Sequence, residues 1–267
     1  MSSTLRLCIS AVFISLAHSN VLADEIDPFD QYMRNLKVVS LSDPKPVIAN
    51  IASGFGASSG VVYYAVSYTD FDVQTNMVGD DDGSIAIGLG LGDPVNSFGY
   101  ELTLGITSVS TAFWGDGKFA DEGNVSGKVH RIVYPRLGGQ SASVAFGASN
   151  LTGWGSTKEN PVNVYAAYSE KMNFGEFKQY GLAYSFGVGS AVSNAEVDPD
   201  FFAGVGVGYD NLSASISQIG KETHLGLTFF TSMLPGAALT VSQADALDKM
   251  QAKRLIATIS YSFQLGK

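Results

Sequence analysis

The feature that most constrains this chain is a pattern of alternating hydrophobicity that recurs from Gly60 to Phe263. Segments of about ten residues, apolar at every second position, are separated by turn-forming residues. In Ser84–Leu91, every second residue is a large aliphatic and the others are serine, alanine or glycine. This period of two predicts β-strands with two unlike faces. Because the non-aliphatic face is small and nearly uncharged, the pattern favours strands with lipid on one side and a lumen on the other.

The alternating segments predict twelve strands, joined by connections that are alternately short and long. The predicted strands are 60–70, 83–92, 96–109, 123–133, 139–149, 161–170, 176–188, 200–209, 211–218, 222–231, 237–243 and 253–264. Membrane barrels alternate in this way, because their periplasmic turns are short and their outer loops long. The ninth connection, 219–221, breaks the alternation because it is short where a long loop is expected.

The last predicted strand carries Ile259, Tyr261 and Phe263 on one face. With this strand, the chain resembles Gram-negative outer-membrane β-barrels of the porin-like class over about residues 60 to 263. The resemblance implies an all-β, antiparallel transmembrane barrel surrounded by outer-membrane lipid and lipopolysaccharide. It also implies that the barrel-assembly machinery reads these three residues. The competing fold is a secreted β-sandwich, whose solvent face should be rich in charged residues.

Composition excludes some function classes. Acidic residues outnumber basic ones, 25 to 16, which argues against nucleic acid as a partner because phosphate binding needs clustered Lys and Arg. Residues 1–23 have the pattern of a secretory signal, with cleavage predicted after Ala23. The only cysteine, Cys8, lies in that signal, so the exported chain is expected to use neither disulfides nor thiol chemistry.

Residues 24–59 differ from the alternating region, 60–267, that follows them. They contain a helical apolar stripe, then Asp43-Pro44-Lys45-Pro46, then a run rich in Gly, Ala and Ser. We interpret them as a lead-in that either lies in the periplasm or inserts into the barrel as a plug. A flexible linker explains the composition equally well.

Few charged residues fall on the predicted inner face, and these are the candidates for lumen or gating positions. They are Glu101, Lys128, His130 and His224. Symmetric pairing of the third and fourth strands about their loop predicts that Glu101 faces His130 and that Lys128 faces Thr103. A carboxylate beside an imidazole can form a gate or binding point. The simpler interpretation is an ion pair that satisfies two buried polar groups.

The long connections hold most of the acidic residues. The outer-loop candidates are Asp80, Asp81, Asp82, Asp116, Asp121 and Glu122. Such residues can bind divalent ions that bridge lipopolysaccharide, or favour cations at a pore mouth. The simpler interpretation is a solvated outer surface, and the sequence predicts neither a dedicated metal site nor a cofactor.

Catalysis receives little support from the sequence. Outer-membrane phospholipases carry His and Ser two residues apart on one strand, whereas Ile132 follows His130 and Gly226 follows His224 at that spacing. We therefore expect no enzyme. The leading hypothesis is a narrow channel for passive passage of small polar or cationic solutes. The alternative is a non-conducting structural or surface-interaction barrel with a plugged lumen, and a lipid-modifying enzyme comes third.

Overall fold

The chain folds into one closed antiparallel β-barrel in which each strand pairs with its sequence neighbours and the first pairs with the last. The computed structural model describes residues 45–71, 82–107, 109, 119–176, 178–192, 198–250 and 253–265. The strands are β1 (Val61–Phe71), β2 (Asp82–Gly92), β3 (Gly99–Ile106), β4 (Gly123–Val133), β5 (Ser141–Trp154), β6 (Asn163–Phe174), β7 (Tyr180–Gly189), β8 (Asp200–Tyr209), β9 (Leu212–Ile219), β10 (Glu222–Phe230), β11 (Ala237–Ala244) and β12 (Arg254–Gln264). The predicted fold class and all twelve predicted strands are confirmed. The predicted signal, residues 1–23, lies outside the described residues.

The two faces of each strand follow the alternation in the sequence. In β3, Glu101 and Thr103 are buried while Leu102 between them is 54% exposed. Leu225, Leu227 and other outward side chains give the remaining strands a similar apolar exterior. In a closed ring every strand is paired on both sides, so no backbone N–H or carbonyl group is left unbonded at a sheet edge. A β-sheet of this form, with an apolar exterior, can lie in the hydrocarbon layer of a membrane. No helix in the described ranges is long and apolar enough to cross a membrane.

The connections alternate as predicted, which distinguishes the two ends of the barrel. Val61 pairs with Gln264, so β1 starts and β12 finishes at the same end, which we term the short-turn end. Its turns are 93–98, 134–140, 175–179, 210–211 and 231–236. The opposite, long-loop end carries 72–81, 107–122, 155–162, 190–199, 220–221 and 245–253. As expected from the sequence, the connection at 220–221 is the short exception there.

Several strand boundaries differ from the predicted ones by up to five residues, and local contacts explain two of them. β3 begins at Gly99 rather than 96, because the Asp93 carboxylate closes the preceding turn by accepting the Val95 and Asn96 N–H groups at 2.9 and 3.2 Å. β5 continues to Trp154 rather than 149. A bulge in the β4–β5 register near Val125 restores the pairing, so the last residue of β5 still faces the first residue of β4.

Candidate functional site: the barrel lumen

Residues 45–59, which we term the lumen segment, lie inside the barrel. Val47, Ala49, Ile51 and Ala57 are each no more than 4% exposed. Side chains that bond the segment come from most of the wall: Glu101, Lys128, His130, Ser169, Ser185, Ser213, Ser215, Ser217, His224 and Ser242. The sequence left the position of residues 24–59 open. Their described part occupies the lumen.

The segment enters at the short-turn end, turns near the long-loop end and returns. Pro46 lies beside Gly208, close to the short turn at 210–211. Asn50, in the left-handed region at φ 66°, forms the turn and reaches His224 on β10. The chain then descends to Gly60, whose N–H donates to the Gly90 carbonyl at 3.0 Å. We call residues 46–49 the rising limb and residues 52–58 the falling limb.

Serine hydroxyls of β9 hold the rising limb by its main chain. Ser213 Oγ accepts the Val47 N–H at 2.9 Å and lies 3.3 Å from the carbonyl oxygen of the same residue. Ser215 Oγ accepts the Ala49 N–H at 3.1 Å, and Ser217 Oγ donates to the Ala49 carbonyl at 3.0 Å. Alternation places these serines on one face of β9, so the sequence pattern itself builds the row.

Glycines of β8 give the rising limb its space. A Cβ atom added at Gly206 would lie 2.3 Å from the Val47 carbonyl oxygen. One added at Gly208 would lie 2.9 Å from the Pro46 nitrogen. Both distances are shorter than any ordinary contact, so a side chain there would displace the limb. The small inner face that the sequence displays therefore accommodates a second layer of backbone.

The turn of the segment meets a polar cluster near the long-loop end. Asn50 Nδ2 lies 3.1 Å from His224 Nδ1 and donates to Ser242 Oγ at 3.0 Å. His224 Nε2 lies 3.3 Å from Glu222 Oε2, which also accepts from Arg254 Nη2 at 2.8 Å. Glu222 and Arg254 are not among the lumen residues predicted from the sequence. The alternation of the strand could have identified Glu222, because it lies two residues before His224 and therefore on the same inner face.

Charged side chains of β3 and β4 hold the falling limb. Lys128 Nζ donates to the Phe55 carbonyl at 2.8 Å, and Glu101 Oε2 accepts the Ala57 N–H at 2.8 Å. His130 Nε2 lies 3.2 Å from the Ala57 carbonyl oxygen. Three of the predicted lumen residues therefore meet at one stretch of main chain. His224 lies apart from them, at the turn of the segment.

The predicted register of β3 and β4 is wrong. Glu101 faces Lys128 rather than His130, and His130 faces Gly99. Lys128 Nζ lies 3.5 Å from Glu101 Oε2, with both side chains almost completely buried. The observed register places opposite charges side by side and sets the imidazole against a glycine, where a Cβ atom would lie 2.4 Å from the ring. The prediction of symmetric pairing about the loop considered neither the charge pair nor the space that the imidazole needs.

The other sequence candidates lie beside the long loops or outside the described residues. Asp80, Asp81 and Asp116 are outside, and Asp82 begins β2. Asp121 and Glu122 immediately precede β4 at the long-loop end, where the Glu122 carbonyl accepts the Thr107 N–H at 3.1 Å. The described ranges contain no group of three or more His, Cys, Asp or Glu residues placed to hold a metal ion.

The three residues of the predicted assembly signal point outward from β12. Ile259 is 63% exposed. The Tyr261 ring lies 5.8 Å from that of Phe263 and 5.5 Å from that of Tyr64 on β1. They thus form an exposed aromatic and aliphatic row at the seam where the barrel closes. Their recognition by the assembly machinery stays a prediction.

Several solved structures of outer-membrane barrels are similar to this chain. The KdgM porin aligns with a TM-score of 0.49 and 9% identity, covering 76% of this chain and 99% of the porin. The COG4313 outer membrane channel from Pseudomonas putida F1 gives 0.45 and 11%, covering 78% and 97%. Outer membrane phospholipase A from Escherichia coli gives 0.42 and 11%, covering 83% and 94%. No protein-family model and no curated protein matches the sequence. At these values the likeness concerns architecture alone, and no function is taken from it.

Proposed function

We propose that this protein is an outer-membrane channel for small polar or cationic solutes that the lumen segment holds closed. The observation that carries the proposal is the path of residues 45–59, which cross the lumen and bond to side chains from most of the wall. The apolar exterior of the closed ring supports a membrane location. Twelve strands enclose more space than small inward side chains fill, so the interior needs either water or an occupant.

The way the segment is held supports a closure that can open. All twelve strands pair around the ring without help from residues 45–59. Apart from the Val61 N–H, which donates to the Ser58 carbonyl at 3.1 Å where the segment joins β1, wall side chains rather than strand backbones bond the segment. Ser169 Oγ, for example, accepts the Gly54 N–H at 2.7 Å. Its departure therefore leaves the hydrogen-bond ladder of the barrel intact. A polar interior would remain, suited to hydrated solutes.

Charge supports the cationic part of the proposal. Within the described lumen, Glu101 is paired with Lys128 and Glu222 with Arg254, so these charges largely balance. The excess of acid over base in the chain then lies mainly in the connections. Acidic residues at the long-loop end favour cations at the mouth.

A permanently plugged barrel with a structural or surface role is the second candidate. The cluster around Asn50 favours it, because Asn50 bonds both His224 and Ser242 and so fixes the turn of the segment to the wall. The two candidates differ in whether the intact protein ever conducts. They agree that removing the segment opens a path.

Planar-bilayer conductance of three full-length chains tests the proposal. The release variant, Gly54→Leu with Gly56→Leu, changes only the segment. A Cβ atom at Gly54 would lie 2.2 Å from the Ser143 carbonyl oxygen, and one at Gly56 would lie 2.2 Å from the His130 ring. Ser59→Leu is the matched control, because residue 59 is exposed.

We expect rare openings from the intact chain and from the Ser59→Leu control, and frequent, discrete, cation-preferring openings from the release variant. A release variant that folds and stays silent contradicts the channel. Silence of the intact chain at every voltage, combined with a conducting release variant, supports the permanently plugged barrel instead.

A further inference from the structure

We infer that the lumen, once the segment has left it, binds extended peptides with small or apolar uncharged side chains, which it recognises by their main chain. The inference rests on the proposed function, because it names one polar solute of the same channel, whose polar groups are its main-chain amides. The lumen segment is then a built-in competitor that occupies the site of the transported peptide.

The rising limb shows the recognition in its simplest form. Ser213 meets both main-chain groups of Val47, and Ser215 and Ser217 meet the N–H and the carbonyl of Ala49. These serines recur at every second residue of β9. An extended peptide presents its N–H and carbonyl groups to one side with the same period of two. None of these bonds involves a side chain of the segment, so a peptide of another sequence can make them.

The wall also binds the falling limb through main-chain atoms, but here two of the wall side chains are charged. Glu101, an acceptor, meets the N–H of Ala57, whereas Lys128, a donor, meets the carbonyl of Phe55. Ser185 Oγ donates to the Ala52 carbonyl at 3.1 Å. Donors on the wall face carbonyls and acceptors face N–H groups. Such a pattern fits a polyamide better than a sugar, whose hydroxyl groups carry no fixed donor and acceptor order.

The shape of the wall limits which side chains fit. Gly206 and Gly226 approach the segment so closely that added Cβ atoms would lie 2.3 Å from the Val47 carbonyl oxygen and 2.6 Å from the Ala49 Cβ. Larger pockets take Ile51, which packs with Tyr165 and Phe202. Small residues therefore line the tight parts of the path and apolar residues fill the wider ones. The wall charges Glu101, Lys128, Glu222 and Arg254 already pair with one another, so burying a further charged side chain among the glycines and apolar residues is strongly disfavoured.

Fluorescence anisotropy of labelled peptides with the full-length release variant tests the inference without measuring conductance. The first probe is a synthetic peptide of residues 45–59, and the second carries N-methyl groups at Val47, Ala49 and Ala57. N-methylation at Ile48 is the matched control for bulk, because its N–H makes no hydrogen bond within the described part of the chain. The fourth probe is an unrelated Gly/Ala/Ser/Val peptide of equal length, and the fifth is its acidic counterpart.

We expect the 45–59 peptide, its Ile48 N-methyl form and the unrelated uncharged peptide to bind within about tenfold of one another. Loss of three main-chain hydrogen bonds should lower the affinity of the tri-methylated peptide about 100-fold, at roughly fivefold per bond. The acidic peptide should not bind. Ala49→Trp, which enlarges a residue packed against Gly226, provides a second release variant if the first does not fold.

Binding of the 45–59 peptide alone overturns the inference, because the lumen would then be specific for its own segment. Equal binding of methylated and unmethylated peptides also overturns it. If the release variant conducts but binds no peptide, the channel stands and peptide recognition fails. If it binds peptides but does not conduct, the proposed transport fails and main-chain recognition stands.

Discussion

The two limbs of the lumen segment are held by different chemistry although both are bonded through their main chain. The rising limb meets neutral hydroxyls of β9 and glycines of β8. The falling limb meets a buried carboxylate and a buried ammonium, Glu101 and Lys128, with His130 beside them. Hydrogen bonds to charged groups are stronger than neutral ones, and a buried charge that loses its partner is costly.

The difference indicates that the falling limb contributes most of the free energy that holds the segment in the lumen, and that the rising limb is held more weakly. Two reporter substitutions separate the limbs: Ala57→Cys, the falling-limb reporter, and Ala49→Cys, the rising-limb reporter. Each places a thiol at a site that is at most 2% exposed, in a chain whose only other cysteine is Cys8, in the predicted signal. The rate at which an impermeant thiol reagent labels each reporter measures the opening of that limb.

The largest effect is expected from Glu101→Ala. It leaves Lys128 buried without its carboxylate and removes the acceptor of the Ala57 N–H, a loss of about 3 to 5 kcal/mol. Labelling of the falling-limb reporter should rise by at least 100-fold and that of the rising-limb reporter by less. The Glu101→Leu/Lys128→Leu double variant should recover part of the protection, because no charge remains unpaired. Unchanged labelling of the falling-limb reporter would show that the falling limb does not anchor the segment.

A steric change on the other side of the lumen should come next. Gly206→Ala forces a methyl group to within 2.3 Å of the Val47 carbonyl oxygen, so the rising limb must shift at a cost of about 2 kcal/mol. The rising-limb reporter should then label faster than the falling-limb reporter. Gly105→Ala is the control, since the atom nearest to its added Cβ is Asn124 Oδ1, at 3.3 Å. Equal effects of the two substitutions would contradict the close approach of β8 to the segment.

Removal of one hydroxyl from the serine row should have a smaller effect. Ser213→Ala deletes the group that bonds both main-chain atoms of Val47, which corresponds to about 1 kcal/mol. Labelling of the rising-limb reporter should rise several-fold, with no dependence on ionic strength. A marked dependence on salt would mean that charge also holds the rising limb.

The smallest effect should come from hydroxyl pairs that belong to the wall alone. Thr228 and Thr240 bond each other at 2.9 Å across β10 and β11. Thr240→Val removes this bond and should leave the labelling of both reporters within about twofold, because neither limb loses a contact. A large change at either reporter would show that the segment depends on the wall as a whole, and the distinction between the limbs would be lost.

The strands and their faces could be predicted from the sequence because both depend on local periodicity. Glu101 and Lys128 were placed in the lumen by the same alternation, and the structure buries both. The register of β3 against β4 could not be predicted, since it depends on which residues meet across the sheet. His130 is accommodated there by Gly99, which local pattern does not reveal.

The occupant of the lumen was the hardest part to predict. Asn50 and His224 are 174 residues apart in sequence, and no local pattern relates them. The serines of β9 and the glycines of β8 were visible as a small inner face, which is compatible with an open lumen and an occupied one. Only the main-chain contacts of residues 45–59 distinguish the two, and those contacts depend on the closed three-dimensional ring.

Disulfide formation between residues 53 and 169 tests most directly whether the segment closes the lumen. Ser53 Oγ lies 3.3 Å from Ser169 Oγ on β6, close enough for a Ser53→Cys/Ser169→Cys pair to form a disulfide with little movement. In the full-length protein in vesicles, we expect near-complete crosslinking on oxidation, no conductance until the bond is reduced, and little crosslinking when Gly54→Leu and Gly56→Leu are added. A cysteine pair that stays reduced in the otherwise intact protein, or a crosslinked protein that conducts freely, would contradict the account.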